Sequence, residues 1–446
     1  MMDKKLLIPA ILITALTVMV ICVDIIENPS PPLSSAPAPE KKLHGRTVTV
    51  MSNHPHARAA DVLAEWFHEE SGAVVRNIVV DYAQMRSYVL DDFHSANPQL
   101  DIIMLWYVDM GALAEQGVLA DLTDFIAENR NILQPDDFIP SLYDPFSLYK
   151  GKRLALPYDG DTHVLFYRKS LLEKHGFPPP QTWEDYTQII RTITEKERQK
   201  GIFGTAIMAP PGAMAAVPFF MNRLTAFGGK MLDETGRPCI NSEEAVAALG
   251  ALAEHAEYAL PTPLETDWEV ARDAFLSGKI ALAEQWTDIG IMAEDPGQSL
   301  IRGDWGVVQI PAGSGEKGCH APSLNAGYSL ALSTKASDPE TARAYLLFVS
   351  RPDITLRLNL INGGIDPVRI SVLQSEEYQK FAPELSRAAR AALESAGAWP
   401  RVPRAQEMLD ILTRNIRITL EGNKSPREAL DDTQEKWLTI TASESS

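Results

Sequence analysis

The strongest constraint on the fold is an alternation of hydrophobic period that starts near residue 46. Residues 46–51 form a short β-rich run, and 57–70 place Val62, Leu63, Trp66 and Phe67 on one helical side. Residues 74–80 are β-branched, 83–95 read as a second helix, and 100–105 are again apolar. Strand, helix, strand, helix, strand predicts an α/β unit in which helices cover a mostly parallel sheet on both faces. Further strands are expected at 154–157, 164–167, 280–283, 305–310 and 327–332. Helices are expected at 109–116, at 242–258 and behind Thr182 and Asp338, and the chain from about 375 onward reads as mainly helical. Thr182 with Asp185 three residues later forms an imperfect capping box. No periodic internal repeat is visible.

At 446 residues the chain is long enough that one undivided core is not expected, and two large lobes suit it. With 45% hydrophobic residues it is not a disordered chain, and a single long apolar run, 6–23, excludes a multi-span membrane protein. The 41 Lys and Arg against 59 Asp and Glu leave a net charge of -18, which repels phosphate backbones and disfavours a nucleic-acid partner.

Lys4 and Lys5 before the apolar run read as an export signal or membrane anchor over residues 1–27. Three fates stay open: a retained anchor, a lipoprotein built on Cys22, or cleavage near Ala36-Pro37-Ala38. Residues 28–45 are rich in Pro, Ser and Ala and read as an extended tether. The two later cysteines, Cys239 and Cys319, are either free or joined by one bridge.

Residues 158–163, Tyr-Asp-Gly-Asp-Thr-His, lie between two strand-like runs and suit a crossing between domains, with Pro157 and Gly160 shaping the backbone. Tyr158, Asp159 and Asp161 there offer a ring and carboxylates that accept from hydroxyls. Asn53 and His54 end the first strand, where sheets of this kind place ligand-contacting loops. His54-Pro-His56 without a supporting cluster is weak evidence for a metal, and none is expected. Residues 313–318 satisfy G-x-G-x-x-G, but no helix is expected to follow, so nucleotide binding is not indicated. No HExxH, nucleophile elbow or full phosphate loop occurs, and no cofactor is implied.

The order of these landmarks strongly resembles the family 1 extracellular solute-binding proteins of ABC importers, the group related to maltose-binding protein, over about residues 46–440. The matching segments include residues 100–122, 166–176, 180–185, 275–281, 338–342 and, near the end, Gly422, Ser425-Pro426 and Ala429-Leu430. The resemblance implies an α/β, two-lobed periplasmic-binding-protein fold of type II with hinge crossings and a helical C-terminal region. Lobe 1 would hold 46–158 with a return segment 328–368, and lobe 2 would hold 163–322. Residues 369–446 would pack mainly on lobe 2.

It also implies a non-catalytic receptor on the periplasmic or extracytoplasmic face of the membrane, which hands a sugar, sugar derivative or polyol to ABC permease subunits. Ligand contacts are then expected at Trp106, Tyr107, Asp109, Trp286, Asn325, Tyr328 and Arg369, beside Asn53, His54, Tyr158, Asp159 and Asp161. A membrane-anchored ligand sensor and a carbohydrate hydrolase using Asp159 and Asp161 are the competing readings.

Overall fold

The structure, a computed structural model, describes residues 42–313, 327–361, 365–381 and 383–444. The first unit follows the expected alternation: β1 (Thr47–Asn53), α1 (Ala57–Ser71), β2 (Val74–Val80), α2 (Met85–His94) and β3 (Ile102–Trp106). In α1 the buried residues Ala59, Ala60, Leu63 and Phe67 recur at helical spacing, and Gly72 ends the helix in the left-handed region. All five residues of β3 are buried, as befits a strand covered on both faces.

β4 (Leu156–Asp159) closes this sheet at one edge, and β5 (Val164–Arg168) begins another. The chain then runs through α3 (Trp183–Glu197), α4 (Ala213–Ala226), α5 (Glu243–Ala256), α6 (Trp268–Leu276), β6 (Leu282–Gln285), α7 (Asp288–Glu294) and β7 (Trp305–Val308). β8 (Tyr328–Leu332) and α8 (Pro339–Val349) follow, and α9 (Pro383–Ser395), α10 (Ala405–Leu420) and α11 (Pro426–Glu444) end the chain. The capping box at α3 is complete, with Thr182 and Asp185 each accepting from the other's backbone N–H.

The two sheets differ in kind. The larger has the order β2-β1-β3-β8-β4, with β2, β1 and β3 parallel and β8 antiparallel to both its neighbours. The smaller, β6-β5-β7, is antiparallel throughout. The reversal of β8 follows from its route: it enters the first sheet from the end at which β4 leaves it. Tyr328, the first residue of β8, therefore lies opposite both Trp106 and Asp159, the last residues of β3 and β4.

Residues 160–163 carry the chain from one sheet to the other. They are packed tightly: a side chain on Gly160 would collide with the carbonyl of Pro367. Gly327, before β8, holds φ +76° with the Phe146 ring against it, a position that only glycine fills without strain. The terminal helices touch both parts of the molecule. α10 packs on α4 and on residues 107–109, while α9 packs on β7, β5 and the helix Pro140–Ser147.

Candidate functional site

The ends of the two sheets face a cavity of about 310 Å³. From the larger sheet come Asn53 at the end of β1, His56, Tyr82 after β2, Asp159 and Asp161 at the crossing, and Tyr328. From the smaller come Met208, Pro210, Pro211 and Gly212 before α4 and Ala215 within it, Asp267, Trp268 and Glu269 at the start of α6, Trp286 after β6, and Asp288 at the start of α7. Four flat rings, those of Tyr82, Trp268, Trp286 and Tyr328, thus share one space with five carboxylates. Sugars and polyols are held by such a mixture, because C–H faces stack on rings while hydroxyls donate to carboxylates.

Hydrogen bonds order the carboxylates. Asn53 Oδ1 accepts from the His56 backbone N–H at 3.2 Å and faces His56 Nδ1, which places a proton on Nδ1. His56 Nε2 then lies 2.8 Å from Asp159 Oδ2, so one proton lies between imidazole and carboxylate. Asp159 Oδ1 accepts from the Asp366 backbone N–H at 2.6 Å, and Asp161 Oδ2 accepts from that of Gly327 at 3.1 Å. The Asp366 carboxylate accepts from the Thr287 backbone N–H at 3.3 Å and from its hydroxyl.

Burial raises the whole group: Asp159 to about 7, Asp288 to about 6, and Asp161 and Asp366 well above the usual carboxylate range. For Asp159, Asp161 and Asp366, repulsion from neighbouring carboxylates adds to the effect.

Behind Trp286 lies a buried polar chain. The His163 ring meets that of Trp286 edge-on at 4.5 Å and accepts at Nδ1 from Asn222 Nδ2 at 3.0 Å. Asn222 also donates to Glu284, which takes two further bonds from Arg223 and one from Tyr186. Arg223 donates to His255 Nδ1, so that ring is neutral, with its proton on Nε2 facing Thr187 Oγ1 at 2.7 Å. Burial, with Arg223 nearby, pushes His163 down to about 3 and His255 well below its ordinary value.

Of the residues expected from sequence, Asn53, Asp159, Asp161, Trp286 and Tyr328 line the cavity together. Others do not. Trp106 is buried edge-on against Trp399, and Tyr107 stacks on Phe146 while its hydroxyl accepts from the Trp399 backbone N–H. Both therefore anchor residues near the C-terminal helices instead of lining the cavity.

Tyr158 is buried with its ring edge toward His56, behind the lining. Asp109 is buried too, 3.7 Å from Arg86, and burial raises it to about 6. His54 points outward to Asp81 at 3.1 Å, and His56 takes its place in the cavity. Arg369 is fully buried, pairing with Asp137 and donating to the carbonyls of Leu133 and Ser350, so a ligand has no access to it.

Asn325, Cys22, Cys319 and residues 314–318 of the glycine-rich string lie outside the described residues.

The sequence reading missed Tyr82, Trp268 and Asp288 and passed over His56. Trp268 carried a signal: Asp267 caps α6 by accepting from Val270 N–H, so the helix starts at the tryptophan.

The chain matches the family model described as bacterial extracellular solute-binding protein over residues 52–355. A probable amino-acid ABC transporter periplasmic-binding protein of Sinorhizobium fredii is 23% identical over 376 residues, 83% of each chain. An ABC transporter solute-binding protein of Agrobacterium radiobacter, solved in complex with ribitol, superposes with a TM-score of 0.80 at 26% identity, covering 90% of this chain and 100% of the other. A maltose-bound protein of T. maritima gives 0.79 at 24% identity, covering 88% and 99%, and attests the fold alone. With its two-lobed type II fold, this chain belongs to the bacterial extracellular solute-binding proteins and works outside the cytoplasm.

Proposed function

We propose that the chain is the non-catalytic solute-binding component of an ABC importer and takes a sugar, sugar derivative or polyol. The observation that carries this reading is the cavity between the sheet ends, where four aromatic rings adjoin Asn53 and the carboxylates of Asp159, Asp161 and Asp288. The ribitol held by the Agrobacterium radiobacter neighbour supports it. The Sinorhizobium fredii relative is named for amino acids, but the acidic lining here would repel an amino acid's carboxylate. Among the described lining residues there is no Lys or Arg.

Hydrolysis fits poorly. Both Asp159 oxygens are engaged, by His56 Nε2 and the Asp366 backbone N–H, and Asp161 is held by that of Gly327, so these carboxylates are tied into the crossing and not left free for catalysis. Residues 46–158 with 328–368 would close against 163–322 about the 160–163 crossing, shutting water out around the solute. Residues 1–27 would hold this receptor at the membrane through the 28–45 tether, where permease subunits accept the solute.

The test is a thermal-shift screen of the full chain against sugars, sugar alcohols and amino acids. Stabilisation by a polyhydroxylated class, reproduced by calorimetry, is expected. A response to amino acids alone would overturn the choice of solute.

A further inference from the structure

The described lining carries carboxylates on every side and few positive charges. Asp159 and Asp161 come from the crossing, Asp288 from the start of α7, and Asp267 and Glu269 from the start of α6. Asp366 stands directly behind, bonded to Asp159 through its backbone N–H. Against these, the lining offers only the His56 imidazole, already engaged with Asp159. Arg272 is close enough to lower Asp288, but its guanidinium lies 4.5 Å from the centre of the Trp268 ring and its Nε donates to Asp273 at 2.8 Å.

Buried carboxylates without counter-charges hold their protons to higher pH, Asp159 up to about 7 and Asp288 up to about 6. The aromatic lining has the same electrostatic preference. The faces of Tyr82, Trp268, Trp286 and Tyr328 carry negative quadrupole density that attracts an ammonium. A neutral polyol would use the rings and some carboxylate oxygens but leave this field uncompensated. Trp286, which is about nine-tenths buried, has an indole N–H without a partner among the described residues. A hydroxyl oxygen would satisfy that donor.

Resting on the function proposed above, we infer that the solute bears an ammonium group beside its hydroxyls, as an amino sugar or an aminated sugar alcohol does. The ammonium replaces protons held among Asp159, Asp161, Asp288 and Asp366, and the hydroxylated carbon skeleton stacks on the rings.

Isothermal titration of the full chain with matched probes tests this: D-glucosamine against D-glucose, and 1-amino-1-deoxy-D-sorbitol against D-sorbitol. N-acetyl-D-glucosamine controls for bulk without charge. The amine of at least one pair should bind tenfold or more tightly than its neutral partner. It should release protons at pH 6.5, read as a dependence of the heat on buffer ionisation enthalpy. N-acetylation should abolish the preference, and Asp288→Asn should reduce the amine-to-neutral affinity ratio at least threefold. Neutral members that bind as tightly as the amines, or amine binding without proton release, would overturn this inference and leave the sugar reading standing. Binding by no compound of either kind would overturn both.

Discussion

Glu284→Gln should cost the protein much of its stability, because Glu284 is the hub of the buried chain behind Trp286. Its Oε1 accepts from Arg223 Nη2 at 2.8 Å and Tyr186 Oη at 3.1 Å, and its Oε2 from Asn222 Nδ2 at 3.0 Å and Arg223 Nη1 at 3.1 Å. Arg223 and Asn222 are wholly buried and Glu284 almost so. Glutamine keeps one acceptor oxygen and turns an NH2 group toward two of these donors. It also leaves the guanidinium without a counter-charge. Removing one partner of a buried pair costs about 3–5 kcal/mol, far above the roughly 0–1 kcal/mol of an exposed bridge.

With a urea m-value of about 3 kcal/mol/M, that loss lowers the unfolding midpoint by about 1–1.7 M. The double variant Arg223→Met with Glu284→Leu should recover a large part of it, since both charges leave together. The assay is urea unfolding of wild type, both single variants and the double variant, followed by circular dichroism. A Glu284→Gln loss below about 1 kcal/mol, or a double variant no better than the worse single one, would refute the claim that an uncompensated charge sets the cost.

Trp286→Ala should weaken binding of the preferred solute about 30-fold or more, the loss of about 2 kcal/mol expected of a central aromatic contact, measured by calorimetry. Trp106→Ala should behave in the opposite way, lowering stability by about 3–5 kcal/mol in the same urea assay with no matching loss of affinity, because its ring packs on Trp399 outside the cavity. For pH, Asp288 is raised from its ordinary 3.8 to about 6 when folded, so the folded state holds a proton that the unfolded state has lost between those values. Stability from this group is therefore lost as pH rises from about 4 to 6. Asp288→Asn should gain on wild type across that interval and hold a constant advantage above it, as melting curves at pH 4, 5, 6 and 7.5 will check.

Patterned side chains made the first sheet legible. The helices over α1, α3 and α5 could be read because their buried residues recur at helical spacing and their ends carry recognisable signals: Gly72 after α1, and Thr182 and Ser242 as caps of α3 and α5. β6 was harder. Its polar residues Glu284 and Gln285 are buried, and Glu284 is tolerable only because Arg223, 61 positions earlier, meets it. No local pattern announces such a pairing.

Among site residues, those fixed by a strand end, such as Asn53, Asp159 and Tyr328, could be found from sequence. Trp106 also sits at a strand end, but Trp399 covers it, and that cover arrives from nearly 300 residues away.

The acidic cluster is placed where it bears on closure as well as on recognition. Asp159 and Asp161 belong to the crossing, Thr287 and Asp288 to the second sheet's side, and Asp366 to the segment after α8 that leads back past the crossing. Asp366 joins them, giving its backbone N–H to Asp159 and taking two bonds from Thr287 on its carboxylate. Any rotation of one half against the other must strain or exchange bonds at this residue. The protons that settle the charge of the cavity therefore lie in the same network that rotation about the proposed crossing would deform. Under the proposed closure, a solute that changes the protonation of Asp159 or Asp288 would alter the strength of those bonds and so bias open and closed forms unequally, which is the condition for a ligand to drive closure.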